Sequence, residues 1–368
     1  MKAADAARQF ALAPAHSPRV FARSCLAISF ALLTLAVALL AASASLAAQE
    51  LPPPPLPAWP MTIVLPPTVV AGEPATLAVL DAKGKLAPGV QVQIGQAQGA
   101  ETDSSGRAYF RVPQMSGALI VRGAGASAVA VVASGAEAKT PVHVSVAPVL
   151  SLRDRFSICG ERFSGDADAN RVTINGAPAL VLAASPECVV GLSARNTPPG
   201  PATISIASAG AQATANATFV AIEFQPTGRL SPGEKSELFI TVRGYAKPLR
   251  IRVENGSPDV LRFLRGDSQI VRTDGKPGNS AQIAVQAIRS GDFSFRVALP
   301  PAPDPQAASR YLRAAEPLAP PDLRVEIEKI ARQIERHPRD TRRDLQRISG
   351  GLAEGDLRTL IDAARAAL

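Results

Sequence analysis

Between Met61 and Pro300 the apolar residues come in short runs with a period of two, separated by turn residues. That rhythm confines the chain to stacked sheets of short strands. Val90-Gln-Val-Gln-Ile94 shows it most cleanly, with Val90, Val92 and Ile94 on one face and both glutamines on the other. Thr62–Leu65, Ala75–Leu80, Ala108–Val112, Leu119–Val121, Ala128–Val132 and Val142–Val146 are further strand-like runs. Asp81-Ala-Lys-Gly84 and Asp103-Ser-Ser-Gly106 supply turns between them. Strands and turns at this spacing predict a β-sandwich over residues 61–147. With 27 Gly, 33 Pro and only 4% aromatic residues, the composition suits strands joined by tight turns. At 368 residues, two to four domains can bury real cores without a metal or a dense disulfide framework.

Two segments resemble known families. Asp81–Val92 runs Asp-x-x-Gly, then Pro-Gly-Val-x-Val, and Thr102–Phe110 runs Thr-Asp-x-x-Gly-x-Ala-x-Phe. This order resembles bacterial Ig-like domains of the invasin/intimin type. Further on come Gly160-Glu-Arg-Phe163, the strand and turn Val172-Thr-Ile-Asn-Gly176, and Pro198-Pro-Gly200 ahead of Ala202–Ile206. These features, in this order, resemble an IPT/TIG domain over 148–222, which implies an immunoglobulin-like fold. Asn175-Gly176 is a strong hairpin turn because both residues tolerate positive φ. Phe163, Val172, Ile174, Ile204 and Ile206 are expected between the sheets. A third sandwich is expected over 223–300. There Leu249, Ile251 and Val253 alternate with Arg250 and Arg252, giving one core face and one basic solvated face. The expected fold class is mainly β: tandem immunoglobulin-like β-sandwiches with a short C-terminal α-helical segment.

After Pro300 the period changes. Residues 301–321 read as a Pro/Ala-rich linker and 322–368 as a helical tail. Leu323, Ile327, Ile330 and Ile334 fall at steps of four, three and four, one stripe of a helix. Short helices are marginal alone in water. The stripe is therefore expected to dock a partner or to fold back on the third sandwich.

The first 47 residues read as a signal peptide. Lys2, Arg8, Arg19 and Arg23 precede an uncharged stretch, Leu26–Ala48, which ends in Ala42-Ser-Ala44 and Ser45-Leu-Ala47. Cleavage after Ala47 or Ala44 is expected. The stretch is also long enough to remain as an N-terminal anchor, and only then would the chain keep a membrane attachment. In both cases Gln49 onward lies outside the cytoplasm. Cys25 lacks a lipoprotein context. Residues 48–60, including Pro52-Pro-Pro-Pro55, form a stiff Pro-rich linker. The Arg- and Ala-rich exported chain looks bacterial, destined for the periplasm, the cell surface or secretion.

Export makes Cys159 and Cys188 a candidate disulfide, the alternative being two separately buried thiols. A bridge closing a loop of about 30 residues adds roughly 3 kcal/mol in loop-entropy terms. The net charge of +8 is dispersed and not interleaved with aromatics, which argues against nucleic acid. It can favour anionic cell-surface polymers. Catalytic inventory is thin. The histidines are His16, His143 and His337, and no Gly-x-Ser-x-Gly, His-Glu-x-x-His or Cys-x-x-Cys occurs. Trp59 is the single tryptophan. Asp166, Asp168 and Asn170 alternate like the start of a calcium loop, but Arg171 and Ala177 stand where its Gly and Glu belong, so a polar loop is expected. Asn216-Ala-Thr218 and Asn255-Gly-Ser257 match the glycosylation sequon by chance. No catalytic, metal or cofactor site is expected, and no cofactor.

These features predict an exported, non-catalytic, adhesion-like binding or structural module whose partner is a protein or a cell-envelope polymer. The alternative is an accessory or chaperone-like subunit of an envelope complex or exported enzyme, docking through its C-terminal helices.

Overall fold

The computed structural model describes residues 61–96, 98–134, 144–208, 210–225, 230–276, 278–334 and 336–368. The expected signal peptide or anchor (1–47), the Pro-rich linker (48–60) and His143 lie outside them. No helix among the described residues is long and apolar enough to cross a membrane.

The first sandwich contains β1 (Thr62–Val64), β2 (Thr68–Val70), β3 (Pro74–Leu80), β4 (Gln91–Ile94), β5 (Gln98–Glu101), β6 (Arg107–Arg111), β7 (Gly117–Gly123) and β8 (Ala126–Ala133). One layer is β1-β3-β6 and the other β2-β8-β7-β4-β5. Leu77, Val92, Ile94, Phe110, Leu119 and Val121 fill the space between, as the alternation of each strand requires.

The second sandwich contains β9 (Ser145–Val146), β10 (Val149–Ser151), β11 (Phe156–Cys159), β12 (Asn170–Ile174), β13 (Ala177–Pro178), β14 (Leu180–Ala184), β15 (Cys188–Leu192), β16 (Gly200–Ser208) and β17 (Ala211–Gln225). Layer β14-β15-β11-β9 faces layer β13-β12-β16-β17, with β10 parallel to β17. Phe163, Val172, Ile174, Ile204 and Ile206 are buried between them. Asn175 and Gly176 turn the β12–β13 hairpin at φ 50° and 83°.

The third core lies between two layers. One is the last third of β17 with β18 (Lys235–Arg243), β22 (Ser280–Ala287) and β20 (Leu261–Phe263). The other is β21 (Ser268–Arg272), β19 (Arg250–Asn255) and β23 (Phe295–Ala298). Ile251 and Val253 point inward beside Phe263 and Ile283.

The sandwiches share sheets. β17 is 15 residues long, about 50 Å at a strand's usual rise. It pairs with β16 up to Phe219 and with β18 from Ala221. The boundary expected between residues 222 and 223 thus falls inside one continuous strand. At the other junction Ala184 of β14 pairs with Thr76 of β3, making one seven-stranded sheet from layers of two sandwiches.

The C-terminal region departs from expectation in two ways. The segment read as a linker, 301–321, carries helix α1 (Pro305–Ala315). Asp304 caps it by accepting from the Ala307 N–H at 2.9 Å, and Pro305 sits in the first turn, where its missing N–H costs nothing. Prolines that suggested a linker instead mark a helix start. Helices α2 (Pro321–Gln333), α3 (Pro338–Gly350) and α4 (Asp356–Ala366) follow. Second, the tail packs on the first sandwich, not the third. Ala118 and Ile120 of β7 and Val131 of β8 face outward into a cluster with Tyr311, Leu312, Ile361 and Ala364. Strands β7 and β8 are apolar on both faces and so need a cover on each side. Gly117 permits the approach, since a Cβ there would lie 3.2 Å from Ala314 Cβ.

Candidate functional site

The helical cover is incomplete. α1 and α4 lie over β7 and β8 but leave the β4–β5 side of the same sheet open. Between that side and the helices lies a cavity of about 1060 Å³. Ala118 and Ile120 line it from the sheet, and its walls include Met115, Leu318 and Leu360. Met115 and Leu318 are large apolar side chains left 36% and 46% exposed. Arg310 and Arg313 of α1 line one side, and Arg122 pairs with Asp356 across the sheet–helix boundary. Size, apolar lining and a few charged groups are the usual attributes of a ligand site. Ser116 and Asp356 are the hydroxyl and the carboxylate among its lining residues, and Asp356 is committed to Arg122. The apolar lining beside Arg310 and Arg313 suits this arrangement to binding an apolar body that carries negative charge.

A second cleft, about 540 Å³, opens where all three sandwiches meet. Asp81 and Lys83 come from the first, Arg153, Asp154 and Arg155 from the second, and Phe295 and Arg296 from the third. Burial pushes the Asp154 carboxyl above the usual range, against the lowering effect of the Leu299 N–H, Ser151 and the two arginines. Its Oδ2 is buried without a hydrogen-bond partner among the described residues. Burial also lowers Arg155, and neighbouring Arg296 adds to that. Next to the first groove, burial and then Asp304 push the Tyr311 hydroxyl up to about 12. Tyr311 is therefore a packing residue and no acid at physiological pH.

The residues singled out in the sequence are placed as follows. Cys159 and Cys188 sit opposite each other on β11 and β15 and form a disulfide, with Cα atoms 4.1 Å apart. The stripe expected to meet a partner is occupied inside the chain. Ile327, Ile330 and Ile334 are buried with Leu345, Ile348 and Leu360, and Leu323 packs at the margin of that cluster. A helix of this length needs its apolar face covered, and the other tail helices do it. Asp166, Asp168 and Asn170 hold a junction. Asp166 caps a single 3₁₀ turn by accepting from the Asp168 N–H, and Asn170 donates to the carbonyls of Ser164 and Asp166. Asp168 meets buried Arg107 of β6 at 2.6 Å.

Sequence reasoning missed the groove. The signal was present in Leu119-Ile-Val121 and Ala128–Val132, runs with no polar face. Such strands announce a second cover, but only the structure shows that the cover is the tail and that it falls short of β4 and β5.

No family model matches the chain, and no curated protein matches it. Among solved structures, the plexin A4 extracellular region matches at 11% identity and a TM-score of 0.24, over 64% of this chain and 22% of that one. The titin I9–I11 tandem matches at 10% identity and 0.20, over 66% of this chain and 94% of that one. The Bacteroides ovatus mixed-linkage glucan utilization locus SGBP-B, in complex with a mixed-linkage heptasaccharide, matches at 10% identity and 0.22, over 63% and 73%. Scores at this level carry no argument about function. The sheets and cores themselves give the class: a mainly β chain of immunoglobulin-like sandwiches in tandem, closed by short C-terminal helices.

Proposed function

We propose that this is an exported, non-catalytic binding module of a bacterial periplasm or cell surface, built as one scaffold from three sandwiches and a helical clamp. The groove carries this reading: it is open, apolar and arginine-lined, and the carboxylate in its lining, Asp356, is paired with Arg122. The Cys159–Cys188 disulfide supports export, because such bonds persist in oxidising compartments. The basic, apolar and small-residue order of residues 1–47 supports a cleaved signal. Division into 61–147, 148–222 and 223–300, with the middle unit of IPT/TIG type, belongs to the same reading. The ligand class is an apolar group bearing an acid, held by Met115 and Leu318 with Arg310 and Arg313 nearby.

Two measurements test it. Anilinonaphthalene sulfonate, an apolar anion, should bind with enhanced fluorescence, and Leu318→Asp with Arg313→Glu should weaken it at least tenfold. Equal binding by the double variant would remove the groove as the site. Mass spectrometry of the native protein should find a chain starting near Ala48 or Ser45 without free thiols. A cytoplasmic chain with Met1 and two reduced cysteines would overturn export.

A further inference from the structure

The outer face of the third sandwich differs in chemistry from the groove. Residues 223–300 hold twelve Lys and Arg against eight Asp and Glu, and part of that excess is concentrated on one sheet. On β19 the inward residues are Ile251 and Val253, so Arg250, Arg252 and Glu254 point outward. The register places Arg272 of β21 directly opposite Arg250, Ile270 opposite Arg252, and Ser268 opposite Glu254. Outward neighbours on β23 are Ala298 beside Arg252 and Arg296 beside Glu254.

Two like charges set directly opposite each other on one face destabilise a sheet. Here Arg250 and Arg272 are such a pair, and no carboxylate forms an ion pair with Arg250, Arg252 or Arg272 among the described residues. The tail adds to the excess where it could have relieved it. Arg342 of α3 comes within electrostatic reach of this face, and burial, then Arg252, Arg250 and Arg365 of α4, hold Arg342 below the usual guanidinium range. Arg365 is neutralised in part by Asp362 at 3.0 Å. The acid on the sheet face itself is Glu254, one row away from Arg252.

The geometry points to a linear, carboxylate-bearing polysaccharide as the occupant of this face. Arginines two apart on a strand stand about 6.7 Å apart, and those across a pair about 5 Å. This is a regular array of planar forks that can take carboxylates two bonds at a time. A nucleic acid would want rings to stack its bases, and the exposed side chains here are Arg, Ile270 and Ser268 with none aromatic.

The test compares two full-length variants of equal net charge. R250Q/R252Q changes the face. R262Q/R265Q removes two exposed arginines from β20 and the turn after it, away from the face. Binding to polygalacturonate is followed by isothermal titration at low salt. The expected result is at least tenfold weaker binding for R250Q/R252Q and less than threefold for R262Q/R265Q. A third variant, R250K/R252K, keeps the charge and loses the fork, and should fall between them. No binding by the wild type would overturn the proposal. So would equal losses in both charge-removing variants, which would mean diffuse attraction. Single-stranded DNA binding as tightly, with the same dependence on Arg250 and Arg252, would replace the polysaccharide and overturn it too.

Discussion

The two junctions between sandwiches are solved in opposite ways. Between the second and third, the connection is backbone: β17 runs through without interruption and belongs to both cores. Between the first and second, a single residue pair, Ala184 with Thr76, carries the strand pairing. Side chains do the rest. Thr76 Oγ1 donates to the Gly165 carbonyl at 2.6 Å and accepts from the Ala167 N–H at 3.2 Å. Ser185 Oγ donates to the Thr68 carbonyl. Arg107 reaches Asp168 and the Val181 carbonyl, and Leu182, Ala183 and Val190 pack on Val64, Ala78 and Leu80. A backbone junction tolerates most side chains and fails when the ladder fails. A side-chain junction can be dismantled one residue at a time.

Substitutions can break that contrast. The largest effect is expected from Ala221→Pro in the shared strand, where a missing N–H and a fixed φ cost about 3 kcal/mol or more. Calorimetry should show the third core melting ahead of the rest. By contrast, the exposed Glu223–Arg243 pair in the same strands contributes at most about 1 kcal/mol. Leu182→Ala empties a fully buried site between the first two sandwiches. It should cost about 3 kcal/mol and split one calorimetric transition into two. Retention of a single transition would show that the junction does not rest on packing. Thr76→Val keeps the shape but leaves the Gly165 carbonyl and Ala167 N–H unpaired, for a loss of about 2 kcal/mol in urea unfolding.

The smallest effect concerns the charged exception at the three-way cleft. The folded state holds the Asp154 proton more tightly than the unfolded chain does. Ionising it therefore removes stability as pH rises from the unfolded value, about 3.9, through the raised folded one. Asp154→Asn should abolish that step, gaining on the wild type at neutral pH and converging with it at low pH. Urea midpoints from pH 3.5 to 7 read this directly, and parallel curves would show that Asp154 does not titrate in isolation.

The sandwiches were legible because a half-buried strand must alternate, and because Asn175-Gly176 and the Asp-x-x-Gly turns fix where strands stop. The disulfide was legible from compartment and count. The shared strand was not, since Ala211–Gln225 continues one alternation across two cores and nothing local records a change of partner. Neither was the destination of the tail. The stripe Leu323, Ile327, Ile330 and Ile334 states that a cover is needed, not which surface supplies it. The groove inherits that ambiguity, being the strip of sheet where one cover ends.

The tail's seat on β7 and β8 also sets an order of events in time. Ala364 is made more than two hundred residues after Val131. At roughly 5–20 residues per second of synthesis, the outer face of the first sandwich stays bare for about ten to fifty seconds after its own strands exist. For that interval the first sandwich presents Ala118, Ile120 and Val131 to whatever surrounds the emerging chain, and only α1 and α4 retire the hazard.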